Sequence, residues 1–144
     1  MNNFYVLGSA RCRTYWFSRL FNCYHEWYAF NDKPLPDGAG TAENHIPVMT
    51  GKSVVILREP QESIESILNA FPVFRANKPK VESMITETYE KLLLLDSPKY
   101  DFHNLDKFIP EIWEYLLEVP VDMERINEYK SRRLTVEGAL QCLG

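Results

Sequence analysis

Two stretches decide the fold: Phe4-Tyr5-Val6-Leu7-Gly8-Ser9-Ala10-Arg11-Cys12-Arg13-Thr14-Tyr15-Trp16 and Ser53-Val54-Val55-Ile56-Leu57-Arg58-Glu59-Pro60. Each starts with a short, unbroken apolar run, the pattern of a strand covered on both faces in a parallel sheet. Each then passes through a polar turn into residues with helical spacing. After the first turn, Phe17, Leu20, Phe21 and Tyr24 fall at i, i+3, i+4 and i+7, one stripe of a helix opening at Thr14. After the second, Ile64, Ile67, Leu68 and Phe71 repeat that spacing. Pro60 suits the first helical position, where its missing N–H would be unpaired anyway. Strand–loop–helix, met twice, predicts an α/β domain: a small parallel sheet flanked by helices in a P-loop-like three-layer arrangement.

Working outward, Trp27 to Phe30 reads as a second short strand. Asn31 to Gly51 is irregular, interrupted by Pro34, Pro36, Gly38, Gly40 and Pro47; a loop this long in a compact domain is often functional. Asn69 to Lys80 reads as a connector. Val81 to Leu95 is the longest helix, with Val81, Met84, Ile85, Thr88, Leu92 and Leu95 toward the core. Tyr100 to His103 is a candidate strand. A further helix opens at Asp106 or Pro110 with Ile109, Ile112, Trp113 and Leu116 inward, and Asp122 to Arg133 forms a last, polar helix. No repeat or linker divides the 144 residues, so a single domain is expected.

A net charge of −4 argues against a general nucleic-acid binder. Locally the balance differs, because Arg11, Arg13 and Arg58 all flank the two turns. Cys12, Cys23 and Cys142 have neither disulfide nor metal spacing. No apolar run approaches the roughly 20 residues of a membrane span. A cytoplasmic protein with no metal and no membrane or nucleic-acid partner is the expectation.

A polar turn between a strand and a helix N-terminus is a favoured anion site, since backbone N–H groups and the helix dipole face the ligand. A nucleotide-hydrolysing loop would read G-x-x-x-x-G-K-[ST]. Here the second Gly and the Lys are missing, which argues against ATP or GTP hydrolysis. Cys12 could serve as a phosphatase nucleophile, but that chemistry wants an Arg six positions on, and Ser18 stands there. In the second turn, Arg58 ends the strand and Ser66 lies eight positions beyond it. A guanidinium with a nearby hydroxyl suits a phosphate. Two such turns suggest a ligand with two separate phosphate-like groups.

These residues resemble the sulfotransferases that use 3′-phosphoadenosine 5′-phosphosulfate. That family carries an [RK]-S-G-T-T-W loop after its first strand, and Arg11-Cys12-Arg13-Thr14-Tyr15-Trp16 is similar to it. The family also carries R-[DN]-P with a Ser eight positions after the Arg, which Arg58-Glu59-Pro60 and Ser66 match. The likeness covers about the first half of the chain. It implies that Arg11 meets the transferring sulfuryl group and that Thr14, with Ser9, Cys12, Arg13 and Tyr15 of the same loop, holds the 5′-phosphosulfate. It implies that Trp16 stacks on adenine and that Arg58 and Ser66 bind the 3′-phosphate. Cys12 stands for the family's Ser, Arg13 for its Gly and Tyr15 for its second Thr. The loop is also similar to the Arg-Ser-Arg-Thr version of short bacterial and phage members. The family's C-terminal basic segment has no clear counterpart beyond Arg132 and Arg133.

The resemblance implies in-line transfer of a sulfuryl group to an unidentified small-molecule or carbohydrate acceptor. His25 or Glu26 is the candidate base, and Asp32 and His45 are weaker candidates. The alternatives are a degenerate P-loop nucleotide-binding protein and a small-molecule kinase. A pocket completed by a second copy of this chain, as a homodimer, is left open.

Overall fold

The computed structural model describes residues 3–27 and 37–131. At its centre lies β1 (Phe4–Gly8), fully buried along its length. Around it stand β2 (Tyr24–His25), β3 (Asp37–Gly40), β4 (Lys52–Leu57) and β5 (Lys99–Asp101), in the order β2-β3-β1-β4-β5. Every pair is parallel. In register, Leu7 sits opposite both Gly40 and Val55, and Leu57 opposite Asp101.

A parallel sheet needs cover on both faces, and strand alternation divides the work. Phe4, Val6, Val54 and Ile56 point to one side. There they meet Phe17 and Leu20 of α1 (Thr14–Leu20), Ile109 and Ile112 of α5 (Leu105–Leu117) and Ile126 of α6 (Met123–Ser131). Tyr5, Leu7 and Val55 point to the other side, against Ala42 of α2 (Ala42–His45) and Leu92 of α4 (Lys78–Leu94). The helix α3 (Pro60–Ala70) rests on α4 through Ile64, Leu68 and Ile85. The three-layer α/β architecture is the one the two opening stretches imply.

Several expected boundaries move. The segment Asn31–Gly51, read as irregular, contains β3, α2 and a 3-10 turn at Ile46–Val48. Asp37-Gly38-Ala39-Gly40 has almost no strand propensity, but it lies between two partners that supply its hydrogen bonds. The second strand is Tyr24–His25 rather than Trp27–Phe30, of which residues 28–30 lie outside the described residues. The helix α1 stops at Leu20; Phe21, just past it, still packs against the core, whereas Tyr24 is an exposed edge-strand residue. In place of a plain connector, α3 runs to Ala70, Pro72–Asn77 winds as a 3-10 helix and α4 starts at Lys78. Met84 points outward rather than to the core. β5 ends at Asp101, and Phe102–Asn104 forms a 3-10 turn.

The helix expected to open at Asp106 or Pro110 opens at Leu105 and keeps Pro110 inside it. Proline removes the hydrogen bond to the carbonyl four residues back. That carbonyl belongs to Asp106, and Lys130 Nζ of α6 reaches it at 3.5 Å. Ile109, Ile112, Trp113 and Leu116 are buried as the spacing predicts. The final helix spans Met123–Ser131; Arg132, Arg133 and the chain beyond lie outside the described residues.

Candidate functional site

The chain leaves β1 toward β2 and β3 on one side and leaves β4 toward β5 on the other. The sheet order therefore reverses between β1 and β4, and ligands of open α/β sheets bind in the crevice at the carboxyl ends of such strands. The turns after β1 and β4 meet there, bringing both opening stretches of the sequence to one place.

The first turn is tight. A Cβ on Gly8 would stand 2.8 Å from the Cys12 Cβ, so only glycine lets the loop fold back onto the strand. Arg11 and Arg13 both take left-handed backbone, φ 66° and 65°. That conformation is strained for residues other than glycine. Beneath the turn, Ser9 Oγ lies 3.4 Å from both Cys12 Sγ and Ser63 Oγ. All three side chains are buried. Cys12 is fully buried and packs as a small core residue, and burial pushes its thiol above its ordinary range.

Arg11 Nε donates to Ser66 Oγ at 3.1 Å, and Arg58 Nη1 donates to the Arg11 carbonyl oxygen at 2.7 Å. The Arg58 guanidinium lies over the Phe102 ring, 4.1 Å from its centroid. Its Nε is buried without a hydrogen-bond partner among the described residues, and Glu62 Oε2 stands 3.7 Å from it. Burial, and then the neighbouring Arg58 charge, lower the pKa of Arg11. The two expected anion sites are thus one contiguous cluster, in which Arg11 already touches the serine assigned to the second site. An oxyanion here would relieve the repulsion between the two guanidinium groups.

Other loop residues turn elsewhere. Arg13 Nη1 pairs with Asp106 Oδ1 at 2.8 Å, and its guanidinium covers the Trp16 ring at 4.2 Å. Trp16 is 6% exposed and donates from Nε1 to the Tyr129 carbonyl. That leaves its ring packed in the core rather than open to a nucleobase. Thr14 is buried at the start of α1. The Tyr15 ring lies edge-on to His25, with centroids 5.6 Å apart.

A second cluster occupies the same edge beyond β3. His25 Nε2 lies 3.7 Å from Glu26 Oε2. Burial, reinforced by His45, pushes the pKa of His25 down to about 4. His45 is fully buried, and burial holds it at about 4 as well. Burial and the Glu43 charge raise the pKa of Glu26. Gly40 makes the packing feasible, since a Cβ there would meet His45 Cε1 at 3.0 Å and the Glu26 Cα and Cγ at 3.1 Å. Asp32 lies outside the described residues.

A cleft of about 310 Å³ opens at the ends of β4 and β5, lined by Leu57, Glu59, Tyr89, Lys99, Tyr100 and Asp101. No group of three or more His, Cys, Asp or Glu side chains among the described residues is placed to hold a metal ion. No helix among them is long and apolar enough to cross a membrane. Helical spacing puts Ser63 on the Ser66 side of α3 and Glu62 within reach of Arg58, and the structure keeps both placements. Sequence reasoning missed Phe102 and His103, since only the parallel pairing of β4 with β5 brings them to this corner.

Comparison with known proteins leaves the site to speak for itself: no family model, curated protein or solved structure matches this chain.

Proposed function

We propose that this chain binds 3′-phosphoadenosine 5′-phosphosulfate and transfers its sulfuryl group to a hydroxyl or amine of a small molecule or sugar. The observation that carries this reading is the cluster in which Arg11, bonded to Ser66, also holds Arg58 through its carbonyl. Two guanidinium groups with a hydroxyl between strand ends are suited to a ligand bearing more than one phosphate-like group. The cleft at β4 and β5 offers room for the organic part of such a ligand.

In the proposed reaction the acceptor oxygen or nitrogen attacks sulfur while the bond from sulfur to the bridging phosphate oxygen breaks. The electron pair leaves with the phosphate, and Arg11 stabilises that growing charge. The acceptor proton goes to the His25–Glu26 pair. Glu26 suits this role better. It is a carboxylate whose raised pKa makes it a stronger base, whereas a histidine near 4 is neutral but weakly basic. The Tyr15 ring, edge-on to His25 at 5.6 Å between centroids, links the pair to the start of α1.

One observation favours a second reading, a degenerate P-loop-type nucleotide binder without sulfotransferase activity. The His25 and Glu26 side chains are only 18% and 27% exposed, which restricts an acceptor's approach. Calorimetric titration with 3′,5′-diphosphoadenosine, beside ADP and ATP–Mg²⁺, tests both. Selective binding of the 3′-phosphorylated nucleotide is the expected result. Preference for ATP–Mg²⁺ would point to a kinase-like protein. Selective binding, followed by retention of intact 3′-phosphoadenosine 5′-phosphosulfate with a broad acceptor mixture, would favour the non-catalytic reading.

A further inference from the structure

The register of β4 and β5 places one aromatic ring beside one cation. Leu57 sits opposite Asp101 at the end of the pair, so the next residues, Arg58 and Phe102, leave the sheet side by side. The centre of the Arg58 guanidinium lies 4.1 Å from the Phe102 ring centroid. Contact with an aromatic face holds a guanidinium without using up its in-plane N–H groups. Nη1 is the one nitrogen of that group with a hydrogen bond among the described residues, to the Arg11 carbonyl. Nε faces Glu62 Oε2 at 3.7 Å, too far for a hydrogen bond. Donors are therefore left for a ligand on a side chain that is 17% exposed. The ring is itself fixed. Phe102 packs against the main core, edge-on to His103 with centroids 5.1 Å apart. The Asp101 carboxylate caps the turn that carries it, accepting from the His103 N–H at 3.3 Å.

We propose that Phe102 is a positioning residue for anion binding: it holds Arg58 in the pose that receives an oxyanion, which on the proposed function is the 3′-phosphate. This rests on the reading of Arg58 as an anion-binding residue. A freely rotating arginine loses much rotamer freedom when it grips an anion. Here the fold has removed much of that freedom before any ligand arrives, and the ligand need not order the side chain itself. The ring acts on the ligand only through Arg58. Arg11 is held in another way, by the Ser66 hydroxyl. The ring therefore matters for a 3′-phosphate and not for a 5′-phosphate bound at Arg11.

The test is calorimetric titration of 3′,5′-diphosphoadenosine, ADP and ATP–Mg²⁺ into the full chain and into Phe102→Leu, Phe102→Tyr, Arg58→Ala and the Phe102→Leu/Arg58→Ala double variant. Leucine keeps an apolar side chain against the core and removes the ring. Urea midpoints check that each variant is folded, and Phe102→Met is a second ring-free variant. Phe102→Leu is expected to lose about two- to tenfold in affinity for 3′,5′-diphosphoadenosine, the range for ordering one long side chain on binding. Its affinity for ADP should not change. Phe102→Tyr keeps the ring and should bind like the wild type. In the Arg58→Ala background, Phe102→Leu should cause no further loss. A ring that merely supports this corner would weaken both nucleotides, with or without Arg58. That pattern, or unchanged affinity in Phe102→Leu, with the wild type still favouring 3′,5′-diphosphoadenosine over ADP, would overturn this inference and leave the proposed function standing. A wild type that favours ATP–Mg²⁺, with a loss from Phe102→Leu that vanishes without Arg58, would keep the inference and remove the proposed function. Absence of binding of all three nucleotides to the wild type would overturn both.

Discussion

The two ends of one sheet edge treat charge in opposite ways. At the ends of β1 and β4, a serine hydroxyl and a backbone carbonyl accept hydrogen bonds from two guanidinium groups. At the ends of β2 and β3, two histidines and a glutamate are pressed toward their neutral forms by burial. The difference is one of residue type: a guanidinium keeps its charge and is supplied with acceptors, whereas burial shifts an imidazole and a carboxyl toward their neutral forms. A group transfer uses both environments, one to hold a departing anion and one to receive a proton.

The comparison can be broken most strongly with acid. His25 and His45 have folded-state pKa values of about 4 against an ordinary 6.5. Above 6.5 both folded and unfolded chains are neutral at these positions, and the fold suffers no penalty. Between 6.5 and 4 the unfolded chain takes up protons first, so stability falls as pH falls. The loss reaches at most about 3 kcal/mol per histidine. Glu26, with a raised pKa, works in the opposite sense and offsets part of it. Urea midpoints at pH 7.5 and 4.5 should differ clearly, and His45→Gln should flatten the difference. An equally acid-sensitive variant would place the effect in other groups.

At the cationic end, Arg58→Ala should weaken 3′-phosphorylated nucleotides by about 10- to 150-fold, the loss of a charge-assisted contact of roughly 1.5–3 kcal/mol. ADP should be affected much less; equal losses would remove Arg58 from the 3′-phosphate. Gly40→Ala sharpens the contrast from the other end. Its methyl would press on His45 and Glu26, destabilising the protein by about 1–2 kcal/mol. Acceptor turnover should fall while 3′,5′-diphosphoadenosine affinity holds, and a parallel loss of nucleotide affinity would mean that the two clusters are not separable. The smallest effect belongs to Asp106→Ala, about 0.2–1 kcal/mol for a partly exposed pair. Nucleotide affinity should not change, because Arg13 points away from the cluster. A marked drop would return Arg13 to the site.

What was legible in the sequence divides along the same line. β1 and β4 announce themselves by unbroken apolar runs, and Arg11, Arg58 and Ser66 could be named from their places after those strands. β3 could not be read, because Asp37-Gly38-Ala39-Gly40 is a strand through its neighbours and not through its own preferences. Its glycines looked like loop punctuation, whereas Gly40 is there to let His45 and Glu26 approach. Without β3, the packing of His45 beside His25 and Glu26 was invisible. The fate of Arg13 was hidden for a similar reason: its partner Asp106 is 93 residues away. The two φ angles near 65° in the first loop also left no mark in the sequence except by contrast with the glycine that commonly occupies such positions.

The central position of β1 also bears on how the protein is made. Phe4–Gly8 precedes all of its partners in the chain, yet it pairs with β3 on one side and β4 on the other. At synthesis rates of about 5–20 residues per second, roughly 2–10 s pass between the polymerisation of Gly8 and that of Leu57. For that interval the fully buried central strand of the sheet is a nascent segment with no template. Until β3 and β4 are made, nothing in the finished fold can cover it.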